Sequence, residues 1–202
     1  GLDSNISYIE DAKKRLQMNK FKKPNNVIKF YYCSKDNSIE ESLMKIKCNM
    51  KFDIVSCQFA LHYFLSTEEQ FNRYMRDITS RMKPNGYFIG TIADGDELMK
   101  LFGTNTVFQN NAMFIEKNFN GEPKRVGDSI RYTLSGTLYF GETFISNEFL
   151  VFKNYVKTVA EKHGLKLIYW KRFSEILDTK QYPLSVDYKV VSESNSFFKF
   201  QK

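Results

Sequence analysis

Apolar and polar positions follow distinct rhythms along the chain, and the rhythms predict its elements. A short apolar start, Gly1-Leu2-Asp3, runs at once into a helix signal. Ser7-Tyr8-Ile9-Glu10 has capping-box spacing, and Ala12, Leu16 and Met18 supply apolar positions through a basic helix. The β-branched and aromatic run Val27 to Cys33 predicts a buried strand, and Ser38 to Ile46 a helix. Phe52 to Cys57 is a mostly apolar run without clean alternation, read as a buried parallel strand. Thr67 to Met82 has helical spacing at Phe71, Met75, Ile78 and Met82, with Thr67 as the cap. Pro84-Asn85-Gly86 ends it and starts the strand Tyr87 to Ile92. Strand and helix in alternation predict an α/β sheet with right-handed crossovers.

From Thr104 to Phe144 the rhythm becomes short strands between polar turns: Val107 to Phe108, Ala112 to Ile115, Ile130 to Leu134 and Thr137 to Phe140. This predicts an antiparallel insertion over 104–144 of a single domain spanning 1–202. A helix from Glu148 to His163, stopped by Gly164, precedes the strands Leu165 to Trp170 and Phe197 to Lys202. Asp178 to Ser194 carries no decisive pattern.

Composition narrows the function classes. The 202 residues carry 30 Lys and Arg against 23 Asp and Glu, a formal charge of +7, which favours anionic partners such as nucleic acid or phosphate. Aromatics at 16 % supply enough apolar surface for a core and argue against intrinsic disorder. Cys33, Cys48 and Cys57 are widely spaced, and with two histidines they assemble neither a four-ligand zinc site nor a disulfide framework. No apolar run approaches the roughly 18 residues of a membrane span, so no membrane association is expected.

In open α/β sheets ligands sit beyond the carboxyl ends of the strands, which directs attention to Asp3, Asp36, Gln58 to Tyr63, and Asp94 with Asp96. An acid directly after a second strand suits the two hydroxyls of a ribose, although such acids also cap helices. The segment Gln58-Phe59-Ala60-Leu61-His62-Tyr63 is the informative one, because folding alone gives little reason to set that polar and aromatic group at a strand end. A lone His there is ordinarily a satisfied core imidazole.

The group nevertheless matches a known pattern. Ser56-Cys57-Gln58-Phe59-Ala60-Leu61-His62-Tyr63, followed by Arg81-Met82-Lys83-Pro84-Asn85-Gly86-Tyr87-Phe88-Ile89-Gly90-Thr91, resembles the mRNA cap (guanine-N7) methyltransferases. In that family a CQF-x-x-HY strand end, a helix and an RL-x-PGGYFIGT turn and strand follow at the same spacing. The resemblance implies a class I S-adenosylmethionine-dependent methyltransferase fold, α/β and Rossmann-like, with a mostly parallel sheet. It also implies S-adenosylmethionine as donor without a metal, and the capped 5′ end of RNA as acceptor. Other capping enzymes or an activating subunit are further partners that it suggests. The compartment would be the nucleus in a eukaryote and the cytoplasm for a cytoplasmic virus.

Residue by residue, the resemblance places Asp3 on the ribose hydroxyls, Asp36 on the adenine side with Ser34 as a competing position, and Gln58 and Tyr63 against the donor. Arg15 falls where the family carries an Arg associated with the cap triphosphate; a solvated residue on a basic helix is the alternative. Phe59 and His62 fall on the guanine side, where a ring face stacks on the base and a ring N–H reaches it. Asn147-Glu148-Phe149-Leu150-Val151-Phe152 resembles the family's P-EFLVYF element, whose Glu reads the guanine edge. Here too a second role is open to Glu148, as the N-terminal acid of the expected helix. The family's guanine-side Tyr in the last strand aligns with Asn195, with Tyr188 more distant.

Guanine presents N1–H and N2–H donors side by side, and one carboxylate accepts both. Methylation leaves the base cationic, so a fixed negative charge is favoured more as the transition state develops. No general base is needed, and catalysis comes from holding the reacting atoms in line. The family's glycine-rich turn, of the form LDLGCGKGGD, lies before its second strand. The chain as given begins after that point, which implies a missing N-terminal strand and helix and weak donor affinity for this segment alone. A catalytically silent capped-RNA or partner-binding module is the competing expectation, and a small-molecule methyltransferase a third.

Overall fold

A computed structural model describes residues 1–18, 28–33, 38–135, 146–176 and 183–202. The chain falls into two compact units, Gly1–Met50 and Lys51–Lys202.

In the first unit β1 (Leu2–Asp3) pairs in parallel with β2 (Tyr31–Tyr32), and α1 (Ile6–Met18) and α2 (Ile39–Lys45) follow the two strands. The expected cap of α1 at Ser7 is displaced: the Asn5 side chain accepts from Ser7 N at 2.9 Å, so the helix starts earlier. Asn is a strong cap, and Ser7 lies inside the first turn. Ser38 caps α2 with a complete capping box. Among the described residues the strand expected over Val27 to Cys33 is confined to Tyr31–Tyr32, and Val27, Ser34 and Asp36 lie outside them.

The second unit is built on a four-stranded sheet in the order β3 (Phe52–Gln58), β4 (Met82–Ala93), β10 (Asn195–Gln201), β9 (Lys166–Arg172). Only β3 and β4 run parallel; β10 is antiparallel to both neighbours, so this sheet is mixed, not mostly parallel. Between β3 and β4 lies α3 (Glu68–Arg81), capped by Thr67, whose Phe71, Met75 and Ile78 are buried as their spacing predicts. They share the core with Phe88, Phe198 and Phe200, whose rings lie 5.1–6.3 Å apart. Burying these side chains is worth roughly 1.5–3 kcal/mol each.

The α4 helix (Gly95–Phe102), which the sequence pattern did not single out, begins directly after β4 with Asp94 as cap and ends at Gly103, φ +52°. The strands β5 (Val107–Gln109), β6 (Met113–Lys117), β7 (Ser129–Leu134) and β8 (Ser146–Phe149) then form an antiparallel sheet. Leu98, Phe102, Met113, Ile115, Ile130, Tyr132 and Leu150 make its core. The antiparallel elaboration therefore reaches Phe149, and the strand expected at Thr137 to Phe140 lies outside the described residues.

That sheet corrects one expectation about the site. Glu148 does not open a helix: it lies in β8, opposite Ile130, and α5 (Lys153–Lys162) starts five residues later. Cross-strand pairing with β7 overrides the helical spacing of the apolar positions. Gly164, φ +80°, ends α5 as expected. The indecisive stretch before β10 contains α6 (Val186–Ser194), capped by Ser185.

Candidate functional site

The geometry starts at the end of β3. Parallel pairing puts Gln58 opposite Thr91 and Cys57 opposite Gly90. The strands meet so closely at Gly90 that a Cβ there would lie 2.3 Å from the Cys57 carbonyl oxygen, so only glycine fits. The Thr91 hydroxyl donates to Gln58 Oε1 at 2.9 Å, and Gln58 Nε2 donates to Ser56 Oγ at 2.8 Å. The amide is thus held at both ends while its face remains exposed.

Phe59 then turns the chain. Its φ of +47° is unusual for a bulky residue, and its N–H donates to the Thr91 carbonyl at 2.9 Å. The ring stands 48 % exposed, edge-on to Phe173 with centroids 6.1 Å apart. A 3₁₀ turn, Leu61–Phe64, follows and sends His62 inward and Tyr63 outward, their rings 4.0 Å apart.

His62 is only 5 % exposed. Burial lowers its pKa from the usual imidazole range to about 4, so the ring is neutral at physiological pH. Glu148 Oε2 stands 3.8 Å from His62 Nδ1, too far for a hydrogen bond, and the two do not form an ion pair. Burial raises the pKa of Glu148, opposed by the Ser146 hydroxyl, which lies 2.8 Å from Oε1. On the neighbouring strand Tyr132 is buried, its pKa pushed up by burial and by the Glu148 charge, with Asn195 opposing the rise. Two buried polar atoms here, His62 Nε2 and Asn195 Oδ1, have no hydrogen-bond partner among the described residues. Unpaired buried polar groups are costly to a fold.

Gln58, Phe59, His62, Tyr63 and Glu148 therefore lie in the second unit, with His62 and Glu148 in direct apposition. Asp3 and Arg15 lie in the first. Asp3 Oδ1 accepts from Asn5 N at 2.8 Å, and Arg15 is exposed on α1 with its Nε donating to the Asp11 carbonyl at 3.4 Å. Asp36 is outside the described residues. Ser56, Thr91, Ser146 and Tyr132 were missed; the two-residue spacing of Ser146 and Glu148 shows its meaning once both lie on one strand. Among the described residues no group of three or more His, Cys, Asp or Glu side chains could hold a metal ion.

The architecture is that of the S-adenosylmethionine-dependent methyltransferases. A methyltransferase of this kind from Clostridium acetobutylicum superposes with a TM-score of 0.57 at 13 % identity, covering 99 % of this chain and 73 % of that one. Another, from Methanosarcina mazei, gives 0.56 at 13 %, covering 100 % and 80 %.

Within that fold the chain belongs to the mRNA (guanine-N(7))-methyltransferase domain family, whose model matches residues 1–189. It is 28 % identical over 177 residues to the mRNA cap guanine-N(7) methyltransferase of Caenorhabditis elegans, covering 84 % of this chain and 45 % of the relative. Identity to mRNA cap guanine-N(7) methyltransferase 1 of Arabidopsis thaliana is 26 % over 178 residues, 87 % and 46 % of the two chains. A probable mRNA-capping enzyme of Acanthamoeba polyphaga mimivirus is 31 % identical over 139 residues, 64 % and 12 %. The chain thus spans less than half the length of these relatives.

Proposed function

We propose that the protein to which this chain belongs transfers a methyl group from S-adenosylmethionine to N7 of the terminal guanine of capped RNA. The observation that carries this reading is the buried apposition of Glu148 and neutral His62, whose Nε2 is unpartnered among the described residues, three positions after the exposed ring of Phe59. A carboxylate, a ring nitrogen and a stacking face together match the edge and face of a purine that offers two adjacent donors.

Gln58 and Tyr63 would hold the donor at the end of β3. In the first unit, taken by itself, Asp3 suits ribose hydroxyls: among the described residues Asn5 N bonds its Oδ1, and no hydrogen bond reaches Oδ2. The donor supplies an electrophilic methyl on a sulfonium sulfur. Guanine N7 already carries a free lone pair, so no side chain has to remove a proton. Glu148 accepts the guanine N–H donors, and its charge favours the positive charge that the base acquires. Phe59 holds the ring plane, and His62 fixes the base edge.

The partner is the 5′ end of capped RNA, and the net charge of +7 suits it. Relatives in eukaryotes and a mimivirus make the nucleus or a viral cytoplasmic site the compartment to examine. The test is methylation of guanine-capped RNA by the full-length protein with labelled donor. His62→Ala and Glu148→Ala should each lower the rate by roughly a hundredfold or more with the fold retained. Full activity in either variant would overturn the assignment, and cap binding without methyl transfer in the wild type would favour a silent binding module.

A further inference from the structure

Ser146 precedes Glu148 by two residues on β8, so both side chains leave the strand on one face. Its hydroxyl oxygen lies 2.8 Å from Glu148 Oε1 and 3.1 Å from the main-chain oxygen of Tyr132 on β7. Both neighbours accept, and the hydroxyl has one proton. An ionised Glu148 draws that proton to Oε1. A protonated Glu148 donates its own proton to Ser146 Oγ, and the hydroxyl then turns to the Tyr132 carbonyl. Ser146 can satisfy either form, but its bond to the charged form is the stronger.

We propose that Ser146 is a positioning residue: it clamps Oε1, leaves Oε2 toward His62, and keeps Glu148 ionised in a buried site for reading the guanine edge. The inference rests on the cap-methylating reading for the purpose of the carboxylate, though not for the clamp itself. The groups facing Glu148 define what else acts on its charge. From the 3₁₀ turn His62 presents Nδ1 at 3.8 Å, and from β7 the buried Tyr132 hydroxyl feels the Glu148 charge. His62 is neutral and the tyrosine hydroxyl uncharged at physiological pH, so among the described residues the Ser146 hydroxyl is the close donor that offsets burial.

The experiment uses the full-length protein labelled with ¹³C at the glutamate carboxyls, with the Glu148 resonance assigned by its loss in Glu148→Gln. Its titration is followed in wild type, Ser146→Ala, Ser146→Thr and Ser146→Cys, alongside the pH dependence of affinity for the cap analogue GpppG. The carboxyl should titrate at higher pH in S146A and S146C than in wild type, and S146T, which keeps a hydroxyl, should restore the wild-type midpoint. Affinity at neutral pH should fall by about tenfold in S146A, and its acid limb should move with the carboxyl. If S146A fails to fold, the near-isosteric S146C carries the same comparison. An unchanged carboxyl midpoint overturns the clamp, whatever happens to binding. A shifted midpoint with GpppG affinity insensitive to both S146A and E148Q retains the clamp geometry and overturns the guanine-reading role.

Discussion

The indole N–H of Trp170 donates to Asp94 Oδ2 at 2.7 Å, tying β9 to the start of α4. Asp94 Oδ1 simultaneously accepts from Asp96 N at 3.1 Å, so one buried carboxylate caps the helix and holds the neighbouring strand. The arrangement fixes the exit of β4, two residues beyond the Thr91 that orients Gln58 and Phe59.

Removing Asp94 should therefore cost more than removing its partner. Asp94→Ala leaves the Trp170 and Asp96 N–H groups without their acceptor and should destabilise by about 2–3 kcal/mol, while Trp170→Phe should cost about 1–2 kcal/mol. Urea unfolding of both variants checks the order; equal losses would mean that the cap function of Asp94 is idle.

Stability should depend on pH through His62 and Glu148 in opposite senses. The folded pKa of His62, about 4, lies below its ordinary 6.5, so the unfolded chain takes up a proton first as pH falls. The resulting loss, on the order of 3 kcal/mol, falls between pH 6.5 and 4, and His62→Gln should remove it. The raised pKa of Glu148 works the other way: the unfolded chain loses its proton first above 4.5, so charging the folded group costs stability as pH rises. Glu148→Gln should consequently be more stable than wild type at pH 7. Unfolding midpoints across pH 4–7 decide both.

Gly90 leaves no space for a side chain. A Cβ would stand 2.3 Å from the Cys57 carbonyl oxygen and 2.5 Å from the Phe198 ring, so Gly90→Ala must separate β3 from β4. The expected loss is about 3 kcal/mol, read by thermal or urea unfolding, with the ends of both strands losing amide protection together. A tolerated Ala would show that the two strands are not as closely joined as their register requires.

At Phe59, binding and stability should part company. The left-handed backbone favours glycine, so Phe59→Gly should gain about 1 kcal/mol in stability. It should also weaken GpppG binding by about 1–3 kcal/mol through loss of the stacking ring. Calorimetric unfolding and GpppG titration of the same variant separate a ring kept for ligand from one kept for packing, which would lose stability instead.

Much of this was legible in the sequence where chemistry and local structure agree. The Thr67 cap of α3 and the Gly164 stop are present as their local signals imply, and the strand Phe52–Gln58 forms in parallel with β4 but at an end of its sheet, with Cys57 its one buried residue rather than buried throughout as expected. Gln58, Phe59, His62 and Tyr63 lie within six consecutive residues, so the strand end that carries them needed no tertiary information. Glu148 was singled out with its element misread, because its place in β8 depends on pairing with Ile130, a partner 18 residues earlier. The Ser146 contact was invisible for the same reason, since adjacency on one strand face appears only when the strand is known. The α4 helix was hidden by its brevity and by the acids that open it.

The β7–β8 register has a consequence for how such a site can change. Side chains on β8 alternate faces, so Ser146 and Glu148 share one side and Asn147 the other. A slip of one residue would exchange the carboxylate for a neutral amide with no substitution at all. Changes on β7 or β8 that preserve this in-step pairing keep the carboxylate beside His62, and a slip by an odd number of residues turns it away.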